Sequence, residues 1–206
     1  MMNAFNQMGT SGTDTLSDGG TSSTLIGGAG DDTLNATAAS ILYGGSGNDT
    51  FVINHTMVAA LQSSMGSGGN TARLARIDGG SGVDTLRLQG ADITLDLTLI
   101  ANQSGGSVDG GSRLSSIEKI DLTGSGNHTL KLTARDVLDS VEIDRVTKLR
   151  LLQVFGDTGD ALHILGLHVR HGGDWTSDGS VYRHIPSNFQ IQVMGDVRVS
   201  IEPPVL

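Results

Sequence analysis

The chain has 206 residues, 37% of them hydrophobic but only 3% aromatic, with 30 glycines and no cysteine. That is enough apolar content for one domain or two small ones, and it excludes disulfides as the means of holding them together. Acidic residues outnumber basic ones 22 to 13, leaving a formal charge of −9, which argues against nucleic acid or an anionic membrane as partner and invites a cation.

With so few rings and so many glycines, the core must be built from small aliphatic side chains inside a tightly turning backbone. That favours a β-solenoid over a sandwich. The opening stretch MMNAFNQMGTSG has neither a basic nor an apolar segment, and no apolar run in the chain is long enough to span a bilayer, so membrane insertion is not expected. A classical export signal is not visible. The sequence leaves open a cytosolic protein, one exported by a signal elsewhere in the chain, or part of something larger.

From residue 9 the chain becomes periodic. Leu16, Leu25 and Leu34 are nine residues apart, Leu42 follows after eight and Phe51 after nine more. The units run 9–17, 18–26, 27–35, 36–43 and 44–52. Strong copies, GTSGTDTLS, GGAGDDTLN and GGSGNDTFV, alternate with degenerate ones, DGGTSSTLI and ATAASILY, that lose the aspartate. A further strong copy, GGSGVDTLR, occupies 79–87.

The pattern G-G-x-G-x-D-x-U-x resembles the calcium-binding nonapeptide of RTX proteins. The resemblance implies a right-handed parallel β-roll in which two nonapeptides make one coil and calcium sits between turns stacked on the same edge, with ligands from repeats i and i+2. Asp14, Asp32 and Asp49 would then line one edge, and the degenerate units would form an opposite edge without metal. The ligands implied are Gly9, Ser11 and Asp14; Gly27, Gly28, Ala29, Gly30 and Asp32; Gly44, Gly45, Ser46, Gly47 and Asp49; and Gly79, Gly80, Ser81, Gly82 and Asp84. Calcium takes six or more oxygens at about 2.3–2.6 Å from carboxylates and carbonyls. Glycine lets successive carbonyls converge, the aspartate adds charge as well as an oxygen, and the leucine fills the narrow interior. Stacked carboxylates repel one another without the ion, so folding and metal binding should be one equilibrium.

Residues 53–72 are too long for a nonapeptide and read as an insertion with a helical turn around Met57 to Leu61; RLARI (73–77) reads as a strand. If the insertion replaces one turn on the metal-free edge, Gly79 to Asp84 stacks on Gly44 to Asp49 and a third ion is shared by Asp49 and Asp84. Otherwise 79–87 begins a separate stack. On this reading 1–88 is the calcium-binding roll and 89–206 a continuing solenoid with an antiparallel cap.

Beyond residue 88, ADITLDLTLI, LSSIEKIDLTG, HTLKLT and KLRLLQVFG alternate apolar and polar residues between glycine- and serine-rich turns, as strands of wider coils would. TARDVLDSV reads as a short helix capped by Thr133, with Val137, Leu138 and Val141 on one face. VYRHIPSNFQIQVMGDVRVSI reads as antiparallel strands closing the open end. The phrases IEKIDLTGSGNHTLKLTARDVLD, FGDTGDALHI and GGDW resemble the region that follows the repeats in large RTX adhesins of Gram-negative bacteria. That resemblance implies export by a type I secretion machinery, a secreted or cell-surface location, and an extracellular glycan or protein receptor.

Asp157 and Asp160 in GDTGDAL are not at the aspartate position of the repeat and read as a polar turn. His163, His168, His171, Asp174 and His184 form the densest imidazole group but lack a standard zinc spacing. They read as strand and loop histidines, and Trp175 as a packing anchor. With no H-E-x-x-H, G-x-S-x-G, P-loop or cysteine nucleophile, the chain is not expected to be an enzyme. The remaining alternatives are an adhesion module that binds sugar or peptide and the non-catalytic tail of a secreted hydrolase.

Overall fold

The computed structural model describes residues 6–64, 66–70, 74–102, 112–144, 146–166 and 175–202. Each pass of the chain through the repeats lays down two strands, one in each of two parallel sheets. Asn6–Met8 (β1) and Thr15–Ser17 (β2) make the first pass, Thr24–Ala29 (β3) and Thr33–Ala36 (β4) the second, Ile41–Ser46 (β5) and Thr50–Ile53 (β6) the third, and Arg76–Ser81 (β7) and Thr85–Leu88 (β8) the fourth. Odd-numbered strands pair with odd, even with even, all in parallel.

The register stacks the apolar residues of the repeat into two columns. Leu25, Leu42 and Ile77 stand in one column and Leu16, Leu34, Phe51 and Leu86 in the facing one. Strand side chains alternate between faces, so each pass turns one of these residues inward per sheet. All of these except Leu16 are fully buried.

The insertion sits on the edge opposite the glycine corners. Its helix α1, His55–Leu61, is capped by Asn54, whose side chain accepts from Thr56 N and Met57 N. Met57, Val58, Ala60 and Leu61 are buried in the common core. The strand expected at 73–77 begins only at Arg76, and Leu74 is exposed. A feature the sequence does not announce seats the insertion: the buried Arg113 guanidinium donates to the carbonyls of Ala60, Ser63 and Ala75. Two of these lie at the C-terminal end of α1, where carbonyls carry partial negative charge and favour a cation.

After Leu88 the coils widen. The chain continues through Thr94–Asp96 (β9), a 3-10 turn at Leu97–Leu99, Leu114–Ser115 (β10), Lys119–Asp121 (β11), Thr129–Thr133 (β12), helix α2 at Ala134–Ser140, Arg150–Gly156 (β13), Ala161–Leu165 (β14), Trp175–Ser177 (β15), Val181–His184 (β16), Phe189–Gly195 (β17) and Arg198–Glu202 (β18). The second sheet runs on through β11, β13 and β17, while β9, β12, β14 and β18 build a third. The apolar column follows without interruption: Leu86 is beside Ile120, Ile120 beside Val154, and Val154 beside Val193. Thr133 caps α2 in a reciprocal capping box with Asp136, and Val137 and Val141 are buried.

One expectation is corrected. Strands β15, β16 and β17 are antiparallel, but β18 does not turn back on β17; it pairs in parallel with β14. Between Gly195 and Arg198 the chain turns a corner from the second sheet into the third. The stretch from Gly156 to Ala161 does the same one coil earlier, and Gly156 and Gly195 are in register. Alternating strands joined by a short glycine turn look the same in sequence whether the turn is a hairpin or a corner.

Candidate metal centre

The strong copies form the corners between the first and second sheets. Gly28, Gly45 and Gly80 are in register, as are Ala29, Ser46 and Ser81. The structure therefore stacks 79–84 directly on 44–49 despite the insertion. Gly45 and Gly47 turn the corner at φ 118° and 121°, a region costly for any residue with a β-carbon.

Each aspartate stands just before a strand of the second sheet and is tied to the corner before it. Asp32 Oδ1 accepts from Asp14 N, Asp49 Oδ1 from Asp32 N and Asp84 Oδ1 from Asp49 N, each at 2.8 Å. The other oxygen is left bare. Asp32, Asp49 and Asp84 are at most 1% exposed, and in each of them Oδ2 has no hydrogen-bond partner. A buried carboxylate oxygen without a donor or cation is strongly unfavourable.

The first glycine of each corner marks the space beside that oxygen. A β-carbon on Gly27 would come within 3.0 Å of both Asp32 Oδ2 and Gly44 O, and one on Gly44 within 3.0 Å of both Asp49 Oδ2 and Gly79 O. The absent side chain leaves a gap flanked by a carboxylate oxygen and the carbonyl of the next corner. The donor set, hard oxygens with one charge per corner, suits calcium. The charges also resist one another. Burial raises the pKa of Asp49, with Asp32 and Asp31 adding to the rise against a hydrogen bond from Asp32. Burial pushes Asp84 up to about 7, helped by the charges of Glu118, Asp49 and Glu142.

The first corner differs. Thr10 stands where the other strong copies have glycine, and it donates to Asp14 Oδ2 from both N (2.6 Å) and Oγ1 (2.8 Å). Those bonds hold the Asp14 carboxyl below its usual range. Gly9 approaches Gly27 O as the later corners approach one another, and Ser11 is exposed.

On the opposite edge a buried carboxylate is treated in the reverse way. Asp18 accepts from Gly20 N, Thr37 N, Thr37 Oγ1, Ala38 N and Ser40 Oγ. No oxygen there is left for a cation.

Among the described residues, the other candidates do not assemble into a centre. Asp160 is buried with Oδ1 accepting from His128 N and Oδ2 from Asp157 N. His163 Nδ1 lies 2.6 Å from Glu202 Oε1, and the His184 ring stacks on Phe189. His168, His171, Asp174 and most of GGDW lie outside the described residues, and Trp175 opens β15. Among the described residues, no group of three or more His, Asp or Glu side chains is placed to hold a metal by itself. The corners instead pair carboxylates with carbonyls. Sequence reasoning also missed Glu118, which accepts from Asp84 N at 3.0 Å and so occupies the next aspartate position. The signal was available: IEKIDL places an acid before a strand as VDTLRL does.

The family model of the RTX calcium-binding nonapeptide repeat (4 copies) matches residues 8–40 and 37–52. This segment is a run of RTX repeats, a repeat class that binds calcium. No curated protein and no solved structure matches the chain. The copy at 79–87 lies beyond the matched segment and joins it through the pairing of β5 with β7.

Proposed function

We propose that this chain is the calcium-loaded folding module of a secreted or cell-surface bacterial adhesin, exported unfolded by a type I system and folded outside the cell. The observation that carries the reading is the row of buried, partnerless oxygens on Asp32, Asp49 and Asp84, each beside the carbonyl of the next corner. The proposed ligands are the corners 9–14, 27–32, 44–49 and 79–84, the first contributing least because Thr10 already donates to Asp14, with the coil right-handed as parallel crossovers are. Residues 1–88 form the calcium-binding unit and 89–206 the continuing solenoid and cap. Bound calcium would neutralise the facing carboxylates and supply the partner that each bare oxygen lacks.

The design suits export of an open chain. Inside the cell free calcium is scarce, and the acidic balance, together with facing carboxylates that are unfavourable to bury, holds the apo chain open. The absence of cysteine means no disulfide can close it early. Outside, binding to the folded state alone adds stability that grows with calcium concentration.

Following far-ultraviolet circular dichroism of the chain against calcium tests this. Half-folding is expected between roughly 10⁻⁵ and 10⁻³ M, near the affinity scale of extracellular modules. Magnesium should not substitute, because its small octahedral shell cannot use so many converging carbonyls. Full folding at sub-micromolar calcium, or equal rescue by magnesium, would remove the export switch from the reading.

A further inference from the structure

We propose that the metal column continues one step past the repeats, into a site for a hard divalent cation formed by Asp84, the Ser116 carbonyl and Glu118 where the glycine corners meet the wider coils. This rests on the calcium reading of the repeats and adds to it a site that the last nonapeptide encodes only on one side.

The geometry repeats that of the corners below. A β-carbon on Gly79 would come within 3.0 Å of both Asp84 Oδ2 and Ser116 O, the relation that Gly27 and Gly44 have to their own aspartates and the next corner's carbonyl. Asp84 N donates to Glu118 Oε2 at 3.0 Å, as Asp49 N does to Asp84 Oδ1. Glu118 thus stands where the next aspartate would be, its longer side chain reaching the same point from a shorter turn. Asp84 is fully buried, and its Oδ2 has no partner. Without a cation this oxygen is as costly as those of Asp32 and Asp49, although only the latter face another glycine corner.

Ser116 replaces the corner glycine and adopts φ 53°, an uncommon conformation for a residue with a β-carbon. Its Oγ donates to Glu142 Oε1 at 3.1 Å, and Glu142 N donates to Glu118 Oε1 at 3.2 Å. Glu142 thereby positions both Ser116 and Glu118. The site also differs from the repeat sites in access. Among the described residues no further glycine corner covers Ser81 and Gly82, and a cavity of about 420 Å³ lies there, with Glu118 and Glu142 in its wall. Water in that cavity reaches Glu118, so this site should release its ion more readily than the repeat sites.

Native mass spectrometry of the full chain at saturating calcium tests the assignment. Glu118→Gln keeps the shape of the side chain and should bind one ion fewer than wild type. Gly79→Ala fills the gap between Asp84 Oδ2 and Ser116 O and should show the same loss. An unchanged ion count in Glu118→Gln overturns the proposal. Because either variant can fail to fold, a lanthanide soak of wild-type crystals provides a second reading. An anomalous peak between Asp84 and Ser116 is expected; its absence in crystals that show peaks beside Asp32 and Asp49 overturns this site and leaves the repeat sites standing. A wild-type chain that binds no calcium at all would instead remove the reading of the repeats.

Discussion

On one edge of the roll the Asp18 carboxylate collects donors from Gly20, Thr37, Ala38 and Ser40. On the other, Asp32 collects one, from Asp14 N, and keeps an oxygen bare. Both are buried and both join one turn of the coil to the next. The difference lies in what surrounds them. Threonine and serine hydroxyls and an open turn supply donors around Asp18, whereas the glycine corner offers mainly carbonyls, and an aspartate among carbonyls asks for a cation. Thr10 shows the rule at a single residue: its hydroxyl, placed in a glycine corner, donates to the Asp14 oxygen that corresponds to the bare one in the later corners.

Chelation should break the comparison most sharply. With excess EGTA most β-structure in residues 9–87 should be lost, because like charges then stack along the glycine edge with nothing between them. An unchanged far-ultraviolet spectrum would show that the corners fold without a cation.

Asp18→Ala should cost about 3 kcal/mol or more, since it strands several buried donors of a charged acceptor. The loss should be seen as a shift in the denaturant midpoint at saturating calcium, and raising calcium further should not restore it. Recovery with added calcium would place a metal on this edge as well.

Asp32→Ala should reduce bound calcium more than Asp14→Ala in a calorimetric titration. Asp32 faces corners on both sides, while Asp14 is already occupied by Thr10. Equal losses would mean that the register of the column is wrong.

The smallest expected effect is on pH. In EGTA the folded state holds a proton on Asp84 up to about pH 7, whereas an unfolded aspartate releases it near 3.9. The folded state therefore binds more protons between those values, and residual stability should fall as pH rises through that window. The folded fraction that a stabilising osmolyte restores in EGTA should vary less with pH across that window in Asp84→Asn than in wild type; an identical variation would assign the dependence to another group.

Much of the repeat region was legible in the sequence. The nine-residue spacing of Leu16, Leu25 and Leu34 and the alternation of aspartate-bearing copies carry the parallel coil, because stacking identical passes leaves only one register that buries the apolar column. Thr133 likewise announces its helix, since a cap acts within four residues of itself.

What only the tertiary structure decided lies at longer range. Arg113 seats a helix that ends some 50 residues earlier in the chain, Asp18 finds its donors across a coil, and β18 takes β14 as its partner instead of β17. Glu118 enters the metal column because the wider coils keep the register of the second sheet, with Lys119 beside Thr85. Local periodicity is set by the backbone geometry of each pass and is written residue by residue. Which distant side chain meets a bare oxygen depends on where the coils, once stacked, bring the chain back.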